Sequence, residues 1–138
     1  MDHFKNVNDT YGHNKGDETL IHLARILKAE CRKEDFVCRL GGEEFVAVLP
    51  KYSLLEGTEL AERIRSKAES VNSPTGKPIT VSIGVAVYPE HGSHFDNVFQ
   101  RADEALYKAK CAGRNRTMQQ PDDKPGSSFF YARGSCGA

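Results

Sequence analysis

The sequence predicts an α+β domain with helices packed on a mostly antiparallel sheet. Three observations predict it. Gly41-Gly42 separates two apolar runs, Phe36-Val37-Cys38 and Phe45-Val46-Ala47-Val48-Leu49, the pattern of a tight hairpin. Ile79, Val81, Ile83, Val85 and Val87 alternate strictly with the small or polar Thr80, Ser82, Gly84 and Ala86. Three further segments carry apolar residues at helical spacing.

In chain order, residues 1–17 are polar and rich in turn formers, which predicts a loop ending at Asp17 as a helix N-cap. The helix that follows places Leu20, Leu23, Ala24 and Leu27 on one face and runs out near Cys31-Arg32-Lys33, where basic residues suit a C-terminus. Hairpin strands follow over about 36–40 and 44–49, stopped by Pro50. A second helix over about 54–70 turns Leu60, Ile64 and Ala68 inward, and Ser73-Pro74-Thr75-Gly76 reads as a turn. The alternating strand covers 79–87, and Pro89 to Ser93 form a loop. The last helix, about 95–112, buries Val98, Ala102, Ala105, Leu106 and Ala109, with Gly113 as its C′ residue. Residues 119–138 are rich in Pro, Gly, Ser and Asp and predict a mobile tail, with a strand over Phe129-Phe130-Tyr131 as the lesser alternative.

Composition sets outer bounds. The 138 residues suit one domain with a real core, residues 1–118. Nineteen basic residues balance 19 acidic ones, so no global field draws nucleic acid or a membrane surface. Any polyanionic ligand needs a local arrangement of cations. Cys31, Cys38, Cys111 and Cys136 lack zinc-site spacing and read as reduced thiols of a cytoplasmic protein. No apolar run reaches membrane-spanning length.

The hairpin tip is the densest chemical signal. Glu43 and Glu44 stand directly after two glycines, where the backbone can be approached closely. Hard cations such as Mg²⁺ take oxygen donors of this kind, usually one or two carboxylates plus substrate phosphates. Taken alone, Gly-Gly-Glu-Glu equally describes a solvated turn.

Four other segments accompany it in order: Asp2-His3-Phe4-Lys5-Asn6-Val7-Asn8-Asp9, Tyr11-Gly12-His13-Asn14-Lys15-Gly16-Asp17, Val81-Ser82-Ile83-Gly84-Val85, and Ala102 to Lys110 closing on Gly113-Arg114-Asn115. With the Gly41–Phe45 stretch they make residues 1–118 resemble a GGDEF domain, the catalytic module of bacterial diguanylate cyclases. The resemblance implies a palm-like nucleotidyl cyclase fold that joins two GTP into cyclic di-GMP and releases two pyrophosphates. It implies Mg²⁺ or Mn²⁺, two per active site, and an antiparallel homodimer in which each subunit holds one GTP.

Residue by residue, the resemblance makes Glu43 a metal ligand and the proton acceptor for the 3′-hydroxyl, with Glu44 in support. Lys5 is matched to transition-state charge, and backbone N–H groups near His3 and Phe4 to the phosphates. Asn8 and Asp17 are matched to the guanine edge, with His13 nearby, although turn former and N-cap remain compatible roles for the first two. Lys110 and Arg114 are matched to the triphosphate, while cations there also suit a helix C-terminus. Arg32-Lys33-Glu34-Asp35 has the spacing of the family's inhibitory product site, which Arg63 joins; as a bare motif it is a common surface ion pair.

The family opens this region with a central hydrophobic strand ending in Asp-hydrophobic-Asp. Met1 takes the middle position, where a backbone carbonyl serves the metal, and Asp2 the second acidic one, so the family's first Asp, a principal metal ligand, would fall before Met1. The expectations are a sheet lacking its first strand, and a fragment or an impaired version of a longer cyclase. The alternative function is a binding module for GTP or cyclic di-GMP.

Overall fold

In a computed structural model, residues 1–120 and the backbone of 127–132 are described. Helix α1 (Phe4–Tyr11) leads into α2 (His13–Glu30), the hairpin β1 (Phe36–Gly41) and β2 (Glu44–Val48), and α3 (Leu54–Ser70). Strand β3 (Ile83–Tyr88), α4 (Phe95–Cys111), β4 (Thr117–Gln119) and β5 (Ser127–Ala132) complete the order. The sheet runs β1-β2-β5-β3-β4, antiparallel except for the β3–β4 pair.

Local chemistry accounts for most of these boundaries. Gly42 has φ 51°, the left-handed conformation that glycine adopts at least cost in the hairpin turn. The Arg39 Nε–H donates to the Gly42 carbonyl (2.8 Å) and braces that turn. Helix α3 starts with a reciprocal capping box: Ser53 Oγ accepts from the Glu56 N–H (3.1 Å), and Glu56 Oε1 accepts from the Ser53 N–H (3.4 Å). Helix α4 ends through N–H bonds from Ala112 to the Lys108 carbonyl (2.9 Å) and from Arg114 to the Ala109 carbonyl (3.0 Å), with Gly113 at φ 118°.

Helices cover both faces of the sheet. One face carries the main core, where Leu23, Leu27, Leu60, Ile64, Val81, Ile83 and Val85 are buried together. On the other face, α4 brings Val98, Ala102 and Leu106 against Val46 and Ala86. Both faces of β3 are therefore buried, and the polar-side reading of Thr80, Ser82, Gly84 and Ala86 gives way to an interior one for the last three. Gly84 lies so close to α4 that a Cβ there would overlap the Ala102 carbonyl and come within 2.5 Å of the Leu106 nitrogen. Only hydrogen fits at that crossing.

Three expectations change. Residues 4–11 form a helix where the sequence predicts a loop, although the helix buries no residue fully and Phe4 and Val7 only lean on the core. Helix α2 begins at His13 with Gly12 as N-cap, so Asp17 stands inside the helix and caps nothing. The strand expected from Ile79 is assigned from Ile83 onward.

The fourth difference lies in the predicted tail. Ser127–Ala132 pairs with both β2 and β3 and takes the central place in the sheet. The sheet thus has a central strand, contributed by the C-terminal segment. Residues 121–126 and 133–138, with Cys136, lie outside the described residues.

Candidate functional site

The N-terminal segment sits beside the hairpin tip. Met1 is buried, and its amino N–H points at the Glu43 carbonyl (3.4 Å). Burial lowers that amino group to about 6; Asp2, Glu43 and Glu44 act to raise it and Lys110 to lower it. Residues from the chain start, the hairpin and the end of α4 therefore share one locality. Glu43 and Glu44 are half-buried, and Lys5 is exposed in the first turn of α1.

Asp2 organises this locality through a buried carboxylate. Its Oδ1 accepts from Ser82 Oγ (2.8 Å), and its Oδ2 accepts from Thr80 Oγ1 (2.8 Å) and the Asn115 N–H (3.1 Å). The Asp2 N–H donates to the Thr80 carbonyl (2.9 Å). Asn115, at φ 46°, also accepts from Arg65 Nη1 (3.1 Å) through its Oδ1. One buried carboxylate thus ties the entry of α1, the approach to β3 and the turn after α4, which carries Arg114.

Two buried polar atoms near these segments have no partner among the described residues, Asn8 Oδ1 and Arg114 Nε. Buried polar atoms are ordinarily paired, so each keeps hydrogen-bonding capacity that no described protein group meets. Asn8 Oδ1 is an acceptor, whereas Arg114 Nε–H is a donor suited to an anion. Gly16 packs against Asn8 and Phe4, and a Cβ there would overlap Asn8 Oδ1. This role for Gly16 was not legible in the sequence, since the glycine marks a crossing between α1 and α2.

A groove of about 350 Å³ runs from Asp17 past Leu20, Ile21 and Val37 to Arg39 and Phe45. Asp17, which borders the groove, is exposed, as is His13 at the start of α2. For a metal, Asp2 is already engaged, which leaves Glu43 and Glu44 as the carboxylates beside Met1. Among the described residues no three His, Cys, Asp or Glu side chains group to hold an ion. Such a donor set fits a hard divalent cation that arrives with phosphate oxygens, and does not fit a closed protein cage.

The second predicted cluster lies at the C-terminus of α2. The Arg32 N–H donates to Asp35 Oδ2 (2.7 Å), and the Arg32 guanidinium lies 4.2 Å from the centroid of the Tyr52 ring. Arg63 pairs with Glu30 at 3.5 Å across the α2–α3 contact. The Arg32–Asp35 link is therefore backbone to side chain, and the guanidinium pairs with Glu56 instead, at 3.7 Å. Cys31, Cys38 and Cys111 are free thiols, and burial first, then nearby Asp35, pushes Cys31 up to about 11. No described helix is long and apolar enough to cross a membrane.

Known proteins are similar to this chain in sequence and in fold. The family model for "Diguanylate cyclase, GGDEF domain" matches residues 1–116. The chain is 52% identical over 118 residues to diguanylate cyclase DgcM of Escherichia coli, covering 85% of this chain and 28% of that protein. It is 41% identical over 128 residues to diguanylate cyclase A of Treponema denticola, covering 91% and 34%. The chain therefore spans about a third or less of these relatives. Among solved structures, the active GGEEF domain of a diguanylate cyclase from Vibrio cholerae superposes with a TM-score of 0.79 at 36% identity, covering 88% of this chain and 78% of that one. The GGDEF domain of DgcB from Caulobacter crescentus, solved with c-di-GMP, gives 0.76 at 35% identity, covering 85% and 71%.

Proposed function

The chain belongs to the GGDEF domain family of diguanylate cyclases, and from that premise we propose that it condenses two GTP into cyclic di-GMP as an antiparallel homodimer. The observation that carries this reading is the pair of unpartnered atoms, an acceptor on Asn8 and a guanidinium donor on Arg114, borne by segments that Asp2 joins to the Glu43 locality.

In this reading Asn8 and Asp17 read the guanine edge, with His13 beside it; a carboxylate accepts from the guanine N1–H and N2–H₂ as ATP's base cannot match. N–H groups near His3 and Phe4 cradle phosphate, and Lys110 and Arg114 offset its charge from the end of α4. Glu43 accepts the 3′-hydroxyl proton of one GTP as that oxygen bonds the α-phosphorus of the other and pyrophosphate leaves. Lys5 faces the charge that develops on the phosphoryl oxygens, and Glu44 supports Glu43. The same step repeated closes the ring. Glu43 and the Met1 carbonyl, with triphosphate oxygens, would hold Mg²⁺ or Mn²⁺, which would supply further charge neutralisation.

A second reading is favoured by one observation. The Asp2 carboxylate is buried and accepts from Thr80, Ser82 and Asn115, a structural commitment that competes with holding a metal. In that reading the domain binds GTP or cyclic di-GMP, the latter through Arg32, Asp35 and Arg63, and signals by contact. In the first reading the same residues make a product-inhibition site.

Incubating the 138-residue chain with GTP and Mg²⁺ or Mn²⁺, followed by mass spectrometry, separates the two. Cyclic di-GMP formation that falls about 100-fold in Glu43→Gln supports the cyclase. Tight nucleotide binding without any product selects the binding module.

Gly16→Ala probes the guanine pocket. The new methyl displaces the Asn8 amide, and GTP affinity is expected to fall about 10-fold, the scale of one lost hydrogen bond to a base. Titration with a fluorescent GTP analogue measures it; the roughly 1 kcal/mol that alanine gains over glycine inside a helix offsets the cost of moving Asn8, so thermal stability should change little.

A further inference from the structure

Tyr52 joins the two residues of the Arg32/Asp35 cluster, and nothing in the motif spacing points to it. Its side chain is buried at 3% exposure, and its hydroxyl donates to Asp35 Oδ2 (3.0 Å), the oxygen that also accepts from the Arg32 N–H (2.7 Å). The same ring carries the Arg32 guanidinium on its face at 4.2 Å. Asp35 Oδ1 is buried and has no partner among the described residues.

These contacts divide the work of the carboxylate. Oδ2 is committed to protein donors, so Oδ1 is the acceptor left for a ligand. A guanine N1–H and N2–H₂ edge supplies donors for such an atom. The Arg32 guanidinium, about half exposed, is restrained by the ring behind it and by Glu56 at 3.7 Å. A cleft of about 410 Å³ lies alongside, bordered by Lys28, Cys31, Lys33 and Phe36. Its two lysines favour an anionic ligand.

We propose that Tyr52 is a positioning residue of the cyclic di-GMP site, ordering Asp35 through its hydroxyl and Arg32 through its ring before the ligand arrives. Binding then loses less entropy in immobilising either side chain, which is how preorganisation raises affinity. This inference rests on the reading of Arg32 and Asp35 as a product site. Burial, reinforced by Asp35, raises the Tyr52 hydroxyl to about 12, so it remains a donor throughout the neutral range.

Calorimetric titration of the full chain with cyclic di-GMP tests it, using Tyr52→Phe, Tyr52→Leu and Arg32→Ala. Tyr52→Phe removes the hydroxyl and keeps the ring, and its affinity is expected to fall about 10-fold. Tyr52→Leu removes both and is expected to fall about 50-fold. Affinity for a non-hydrolysable GTP analogue should stay at the wild-type value in Tyr52→Phe. Should that variant weaken both ligands alike, Tyr52 is a general structural residue and the proposal fails. Wild-type affinity in both Tyr52 variants, with binding lost in Arg32→Ala, overturns the proposal and leaves the product site standing. Absence of binding to the wild type, or full binding by Arg32→Ala, overturns the site itself and the role of Tyr52 with it.

Discussion

A chain ending at Gln120 is expected to lose its cooperative thermal transition. The deletion removes β5, which forms four register pairs with β2 and five with β3 at the centre of the sheet. Each backbone hydrogen bond contributes a net of about 0.5–1.5 kcal/mol, and an unpaired buried donor or acceptor costs more. Losing both ladders thus amounts to roughly 5–10 kcal/mol, comparable with the whole stability of a domain, about 5–15 kcal/mol. The remaining β1–β2 and β3–β4 pairs would face each other across an empty central place, each with an unpaired edge. Circular dichroism during heating measures the transition. Phe130→Pro offers a gentler version, because it removes one N–H from a strand paired on both sides, where proline is not accommodated. A truncated chain that melts cooperatively at the wild-type temperature would show that β5 contributes nothing to folding.

Asp2→Ala is expected to destabilise the folded chain by about 3–5 kcal/mol, the scale of breaking a buried charged network. The substitution leaves the hydroxyls of Thr80 and Ser82 and the Asn115 N–H without their acceptor, in a place where Asp2 is 3% exposed. Asp2→Asn fills the same volume but presents an amide N–H₂ where an oxygen accepts, so it should recover only part of the loss. Chemical denaturation of the three chains is expected to rank them wild type, Asn, Ala. A second consequence follows from what Asp2 joins. Release of the Asn115 N–H frees the turn bearing Arg114, at φ 63°, so affinity for GTP should fall even under conditions where Asp2→Asn remains folded. Equal stability of Asp2→Ala and wild type would show that this carboxylate does not hold the three segments together.

What the sequence determined by itself was whatever periodicity encodes. Helix α3 occupies Leu54–Ser70 as its apolar spacing implies, and α4 buries the five residues named from its apolar stripe. The hairpin followed from two glycines between apolar runs, since few other residues make that turn cheaply. The motif order was enough to identify the family, because each motif is a local string. Helix α1 was invisible for the matching reason: it is short, polar and without a buried face, so it depends on Phe4 and Val7 leaning on the core. Only the tertiary structure decided the rest. The roles of Asp2, Gly16 and Tyr52 each depend on a neighbour distant in the chain: Asp2 on Thr80, Ser82 and Asn115, Gly16 on the Asn8 side chain, Tyr52 on Asp35. The central place of β5 was decided in the same way, because a strand's worth lies in the edges it meets, and β2 and β3 are edges that exist only once the sheet has formed.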